Sequence, residues 1–303
     1  MSRKVWTILS VLLAAAAFEM VAGRVGMSPH ILTLRLLRLA LGLTAGLVLG
    51  STGAALQRVY NNPLADGYIL GISGGAILGV ALAELLGIPS YDFLWALAGS
   101  AVVGILLISV SPRVGRLMIP VVGIGLGMFF SSIAILLFMM AGVEASRTFY
   151  ALWGTLGRFY GYGELPLLGA VVLLSVVGVG YLSRFHRDMD AVSLGEVEAL
   201  ALGYDPKRTV VLVTVVSAVL VALITALVGV IGFVGIMAAH ILRGVGVREG
   251  RSFYVLSGVV GAILILLSDA LGRLLLGIDP PVGVVMSIVG APFFVYLAAG
   301  GRV

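Results

Sequence analysis

The chain has 303 residues, of which 60% are hydrophobic and 11% charged, with a formal net charge of +5 and no cysteine. Soluble globular chains carry roughly 45–50% apolar and about 25% charged residues, so a water-soluble fold of this length would lack the polar side chains to cover its surface. Lipid is the solvent that fits, and disulfides, thiol catalysis and thiolate metal sites are excluded.

A helix needs roughly 20 residues to cross the hydrocarbon core. Stretches near that length occupy residues 5–22, 39–56, 68–86, 93–110, 117–141, 165–182, 210–231, 253–276 and 282–298. A shorter one, 233–242, carries His240 and follows the seventh. Arg3 and Lys4 precede the first stretch, which places the N-terminus in the cytoplasm. If 233–242 also crosses, there are ten spans, both termini are cytoplasmic, and 13 of the 19 basic residues lie inside. If it does not cross, ten do. The charge bias therefore predicts an all-α polytopic membrane protein of about ten transmembrane helices. Residues 1–303 read as one transmembrane domain, with the first stretch an uncleaved span rather than a signal peptide.

Two connecting segments stand out. Residues 183–209 hold Arg184, Arg187, Asp188, Asp190, Glu196, Glu198, Asp205, Lys207 and Arg208. Within them Ser193, Leu194, Gly195 and Glu196 read as a helix start, and Leu194, Val197, Leu200 and Ala201 follow helical spacing. Gly203 is the expected stop, with Asp205-Pro206 opening the next element. A solvated loop helix and a docking surface for a cytoplasmic partner both fit this periodicity. The other segment, 148–163, carries Phe149, Tyr150, Trp153, Phe159, Tyr160 and Tyr162, a density that suits a short helix at the outer membrane boundary.

Every side-chain amide of the chain falls within six residues: Gln57, Asn61 and Asn62. Ahead of Pro63-Leu64-Ala65-Asp66-Gly67 they fit a capped helix end and an Asn-Pro turn, or broken backbone lining a conduit. Asp269 and Arg273 are four residues apart within the 253–276 stretch and can pair on one helix face. A proton relay through Asp269 would need further buried acids, for which Glu19 and Glu84 are the candidates. His30, His186 and His240 lack a paired-ligand spacing, and no G-x-S-x-G elbow is present. Nor is there a G-x-x-x-x-G-K-[ST] loop. The chain is therefore not expected to be an enzyme or to hold a cofactor or metal, and ATP-driven work would need another subunit.

Taken together, several runs resemble one family. They are Arg35-Leu36-Leu37-Arg38, Gly53-Ala54-Ala55-Leu56-Gln57, Asn61 to Asp66, Leu70 to Ala76 and Trp153-Gly154-Thr155. They continue with Ser193-Leu194-Gly195-Glu196, Ala199, Leu202-Gly203, Gly232-Phe233-Val234-Gly235, His240, Arg243, Asp269, Arg273, Pro281 to Val284 and Gly290 to Phe294. In this order they resemble the iron-siderophore, haem and cobalamin ABC importer permeases, the FecCD-like transmembrane subunits of type II importers. Leu37 and Ala239 depart from the pattern, each standing where the family usually has proline.

The resemblance implies a translocation path formed by two copies of the chain. It also implies two cytoplasmic ATP-binding subunits, an external substrate-binding protein, a lipid bilayer and no nucleic acid. It assigns Gln57, Asn61, Asn62, Pro63 and Leu64 to a cytoplasmic gate, with residues 111–116 contributing. Ser193, Leu194, Gly195, Glu196, Ala199, Leu202 and Gly203 would couple to the ATPase, and Arg35, Arg38 and Arg273 would meet the binding protein. The competing reading is a secondary transporter driven by an ion gradient through Asp269.

Overall fold

The computed structural model describes residues 3–22, 28–88, 92–114, 118–144, 150, 152–157, 165–276 and 281–299. In chain order the helices are α1 (Arg3–Val21), α2 (Pro29–Val59), α3 (Ile72–Leu85), α4 (Asp92–Val114), α5 (Ile119–Met140) and α6 (Leu165–Arg184). They continue with α7 (His186–Leu194), α8 (Glu196–Ala201), α9 (Pro206–Val228), α10 (Val234–Gly244), α11 (Arg251–Leu276) and α12 (Val282–Ala298). The protein is all-α. Seven of these helices are long and apolar enough to cross a bilayer. The apolar α3, α10 and α12 are shorter, at 14, 11 and 17 residues.

Local chemistry sets the ends. Ser28 caps α2, its hydroxyl accepting from the Ile31 amide, and Pro29 follows where a missing N–H is harmless. Asp205 and Pro206 open α9 in the same way, as the sequence suggested. At 31 residues α2 is about 46 Å long, so it overruns the expected span of 39–56 at both ends. The expected span 68–86 loses its first four residues to turns that end at Gly71, which sits at φ +77°. The 111–116 loop is corrected in part: 111–114 complete α4, and Gly115 and Arg116 lie outside the described residues. Of the aromatic segment, Tyr150 and Trp153 are helical, whereas Phe149, Phe159, Tyr160 and Tyr162 also lie outside them.

The short stretch after α9 crosses the bundle. The Val228 carbonyl accepts from the Thr155 amide at 2.7 Å. Past α10, the Gly246 carbonyl accepts from Lys4 Nζ at 2.8 Å, at the opposite end of the bundle, where α1 begins. Residues 229–244 thus form a broken span, irregular to Phe233 and helical after it. Among the described residues it joins seven helices long enough to cross and the shorter apolar α3 and α12.

At the centre α2 lies along α11. Lipid is as apolar as any side chain, so membrane helices associate by close packing and interhelical hydrogen bonds. Gly46 and Gly50 supply the first: a Cβ on either would overlap the α11 backbone at Ala262 or Ser257. Ser51 supplies the second, donating to the Tyr254 carbonyl at 2.8 Å. Around this pair, α3 packs between α4 and α5, and α1 rests on α11 at the rim.

Candidate translocation gate and its polar networks

Two interruptions of helix, residues 60–71 and 229–233, meet inside the bundle. Asn61 ends α2 in a left-handed conformation at φ +47°. Asn62 is buried, and its Oδ1 accepts from the Leu64 amide at 3.0 Å, which closes the turn over exposed Pro63 and half-buried Leu64. Asp66 is buried as well. Its Oδ1 accepts from the Tyr68 amide at 2.8 Å and its Oδ2 from the Ile236 amide at 3.1 Å, in the first turn of α10. A carboxylate at a helix N-terminus satisfies orphan donors and complements the helix dipole. One side chain therefore ties the two breaks together. The sequence analysis quoted Asp66 only as part of a motif and gave it no role; its signal was an acid directly after the amide-rich turn.

Next to this tie the Tyr68 and Phe233 rings lie 5.8 Å apart, and Phe233 and Phe294 lie 6.2 Å apart. Phe233 adopts φ +67°, a strained conformation for a bulky residue that functional sites retain. The rings help to line a cavity of about 340 Å³ with Ile69, Gly74, Ile124, Gly127, Met128, Ser131 and Val230. Among the described residues no charged side chain lines it. Here the broken backbone borders an open cavity, the setting in which irregular chain is tolerated at membrane depth.

Gln57 reaches α10 instead of the turn. Its Nε2 donates to the Gly235 carbonyl at 3.2 Å, and its Oε1 accepts from Arg243 at 2.8 Å. Arg243 also pairs with Glu249 at 3.0 Å. Glu249 takes Arg58 at 2.6 Å, and Arg58 reaches Asp190 of α7 at 2.9 Å. Sequence reasoning gave Arg58, Asp190 and Glu249 no role in the site, because Arg58 is 132 residues from Asp190 and far from Glu249 in the chain, and no local spacing announces these pairs.

The segment expected to couple to an ATPase differs from expectation at its start. Ser193 and Leu194 finish α7, Gly195 interrupts at φ +142°, and Glu196 begins α8. A side chain at Gly195 would be strained by that φ and would run into the Glu198 carboxylate. Ala199 is buried, and Gly203 turns the chain at φ +84°. Leu194, Val197, Leu200 and Leu202 are all exposed, Val197 by 76%.

At the other end of the bundle Arg35, Arg38, Asp269, Arg273 and Glu19 are all buried. Asp269 accepts from Arg38 Nη2 at 2.9 Å and from Arg273 Nε at 2.9 Å. Arg273 also pairs with Glu19 and donates to the carbonyls of Ala22 and Glu19 at 2.8 and 2.9 Å. Arg35 donates to the Met20 carbonyl. The guanidiniums therefore cap the last turn of α1 as well as neutralising the acids. Glu19 enters as an ion-pair partner. Asp269 thus meets a guanidinium on each carboxylate oxygen.

Comparison with known proteins agrees with this geometry. The profile of the FecCD transport family matches residues 4–299. Over 272 residues the chain is 31% identical to the cobalamin import system permease protein BtuC of Halobacterium salinarum, covering 88% of this chain and 72% of that one. It is 30% identical over 278 residues to the Fe(3+)-citrate import system permease protein YfmD of Bacillus subtilis, covering 89% and 81%. A solved inward-facing metal-chelate type ABC transporter superposes with a TM-score of 0.84 over 97% of each chain, at 26% identity. The match takes in both broken spans and the segment between α6 and α9, and the chain belongs to the FecCD transport family of multi-pass ABC permeases.

Proposed function

We propose that two copies of this chain form the translocation path of an ATP-driven importer for metal chelates of the iron-siderophore, haem or cobalamin class. Two cytoplasmic ATP-binding subunits would drive it, and an external binding protein would deliver the cargo. The whole chain acts as one transmembrane unit, with both termini and the Asn62 end in the cytoplasm. The names of its relatives support the cargo class. The observation that carries the ATPase coupling is the exposed row Leu194, Val197, Leu200 and Leu202 on a charged segment between spans. Apolar side chains clustered on a polar segment mark an interaction surface.

In this reading Gln57, Asn61, Asn62, Pro63 and Leu64 form the cytoplasmic gate. Ser193, Leu194, Gly195, Glu196, Ala199, Leu202 and Gly203 receive the ATPase motion. Arg35, Arg38 and Arg273 serve the binding-protein side, where a docked acidic residue would compete with Glu19 and Asp269 for them. The permease supplies alternating closures, and the ATPases supply the bias through their different affinities for the two states. An ion-gradient mechanism would have to act through Asp269, which two arginines hold.

The test is co-expression with candidate ATPase subunits encoded beside it. Val197→Asp should cut ATPase co-purification by roughly tenfold or more while leaving the permease monodisperse. Undiminished co-purification by that variant and by Glu196→Lys would count against the assignment.

A further inference from the structure

We propose that Arg58, Glu249 and Arg243 are the positioning residues that carry coupling-segment motion to the gate, as one continuous polar chain. This rests on the functional reading above and adds to it the residues through which the two regions act on each other. The chain starts at Asp190 on α7, passes to Arg58 at 2.9 Å, to Glu249 at 2.6 Å, to Arg243 at 3.0 Å and to Gln57 at 2.8 Å. Gln57 then reaches the Gly235 carbonyl at 3.2 Å, one residue from the Ile236 amide that Asp66 holds. The links connect α7, the end of α2, the turn between α10 and α11, and α10, with Arg58 and Gln57 adjacent on α2. Arg58 lies three residues before Asn61, so a pull on its guanidinium acts on the helix end that the gate turn leaves.

Three features suit transmission. Glu249 receives one arginine on each carboxylate oxygen, Arg243 on Oε1 and Arg58 on Oε2, so displacing either arginine unbalances the other. The side chains of Arg58, Asp190, Arg243 and Glu249 are 27%, 35%, 26% and 25% exposed. Water can therefore take up bonds that break during a cycle, which a dry cluster would forbid. Lastly, the Tyr254 hydroxyl is buried among Asp190, Arg58, Glu249 and Arg243 and has no hydrogen-bond partner among the described residues. An unpaired buried hydroxyl disfavours the state that contains it. A shift of Arg58 or Glu249 onto it would give the chain a second discrete arrangement, which coupling between distant regions requires.

The full assembly with its ATPases, in lipid nanodiscs, tests this. The chain has no cysteine, so Pro63→Cys carries a spin label at the gate of each copy. The distance between the two labels is read with and without Mg-ATP and vanadate. Glu249→Gln and Arg58→Gln should each preserve assembly and ATP hydrolysis while reducing the nucleotide-driven distance change by about twofold or more. The double variant should be no worse than either single one, because both break one chain. Glu249→Asp, which keeps the charge, should recover part of the motion. Should either glutamine variant fail to assemble, Asp190→Asn removes only the far link and should give the same loss. An unchanged distance shift in the glutamine variants, or strictly additive losses, would overturn the proposal. A parent chain that never assembles with ATPases would instead sink the functional reading beneath it.

Discussion

The two ends of this bundle hold charge in opposite ways. At the Arg38 end, Asp269 is fully buried and shared by two arginines, and the remaining guanidinium donors close the carbonyls at the end of α1. At the Asn62 end, Arg58, Asp190, Arg243 and Glu249 are partly wet and linked in a line. Burial makes the first cluster costly to break, because any loss strands a charge in low dielectric. Exposure makes the second inexpensive to rearrange, because water replaces a lost partner. One end is built as a dry clamp and the other as a wet, exchangeable linkage.

The contrast predicts a graded set of effects. Largest is Asp269→Ala, which strands Arg38 and Arg273. It should cost about 3–5 kcal/mol and appear as a fall in midpoint and loss of monodisperse protein in detergent thermal unfolding. A parent-like midpoint would remove the clamp from the account. Next is Gly50→Val, which drives a side chain into the α11 backbone at Ser257. It should cost about 1–3 kcal/mol by the same assay, and an unchanged midpoint would show that the α2–α11 seam is looser than described. Smaller still is Glu249→Ala, expected to cost about 0.2–1 kcal/mol. A loss as large as that of Asp269→Ala would erase the difference between the ends. The smallest effect is ionic: raising salt should shift the parent's midpoint only slightly, and Glu249→Ala should shift less. Equal salt responses in parent and variant would show that the wet linkage contributes nothing.

Much of the fold was legible because lipid constrains sequence so strongly. Long apolar runs located the spans, and the basic residues favoured a crossing at 233–242 that hydropathy alone left open. The breaks were harder to read. An apolar run such as 68–86 has the same hydropathy in a turn as in a helix, so Gly71 rather than composition decides where α3 begins. The site was legible where chemistry clustered locally: the amides, the Asp269–Arg273 spacing, and the apolar residues after Gly195. It was illegible where partners came from distant chain. Asp66 looked like a turn residue until α10 was seen to place the Ile236 amide against it. Glu19 was only a candidate acid for a relay until α1 was seen to end beside Arg273. Arg58 looked like an ordinary inner-side charge until Glu249 met it.

The central claim is that this permease has no motor and is moved by nucleotide hydrolysis in companion subunits. Its most direct test is uptake into proteoliposomes holding the permease with its ATPases, with loaded binding protein outside. Accumulation of radiolabelled metal chelate should require ATP trapped inside, persist when a protonophore and a sodium ionophore collapse the ion gradients, and vanish when the ATPases are omitted. Uphill uptake by the permease alone, abolished by dissipating an ion gradient, would contradict the account.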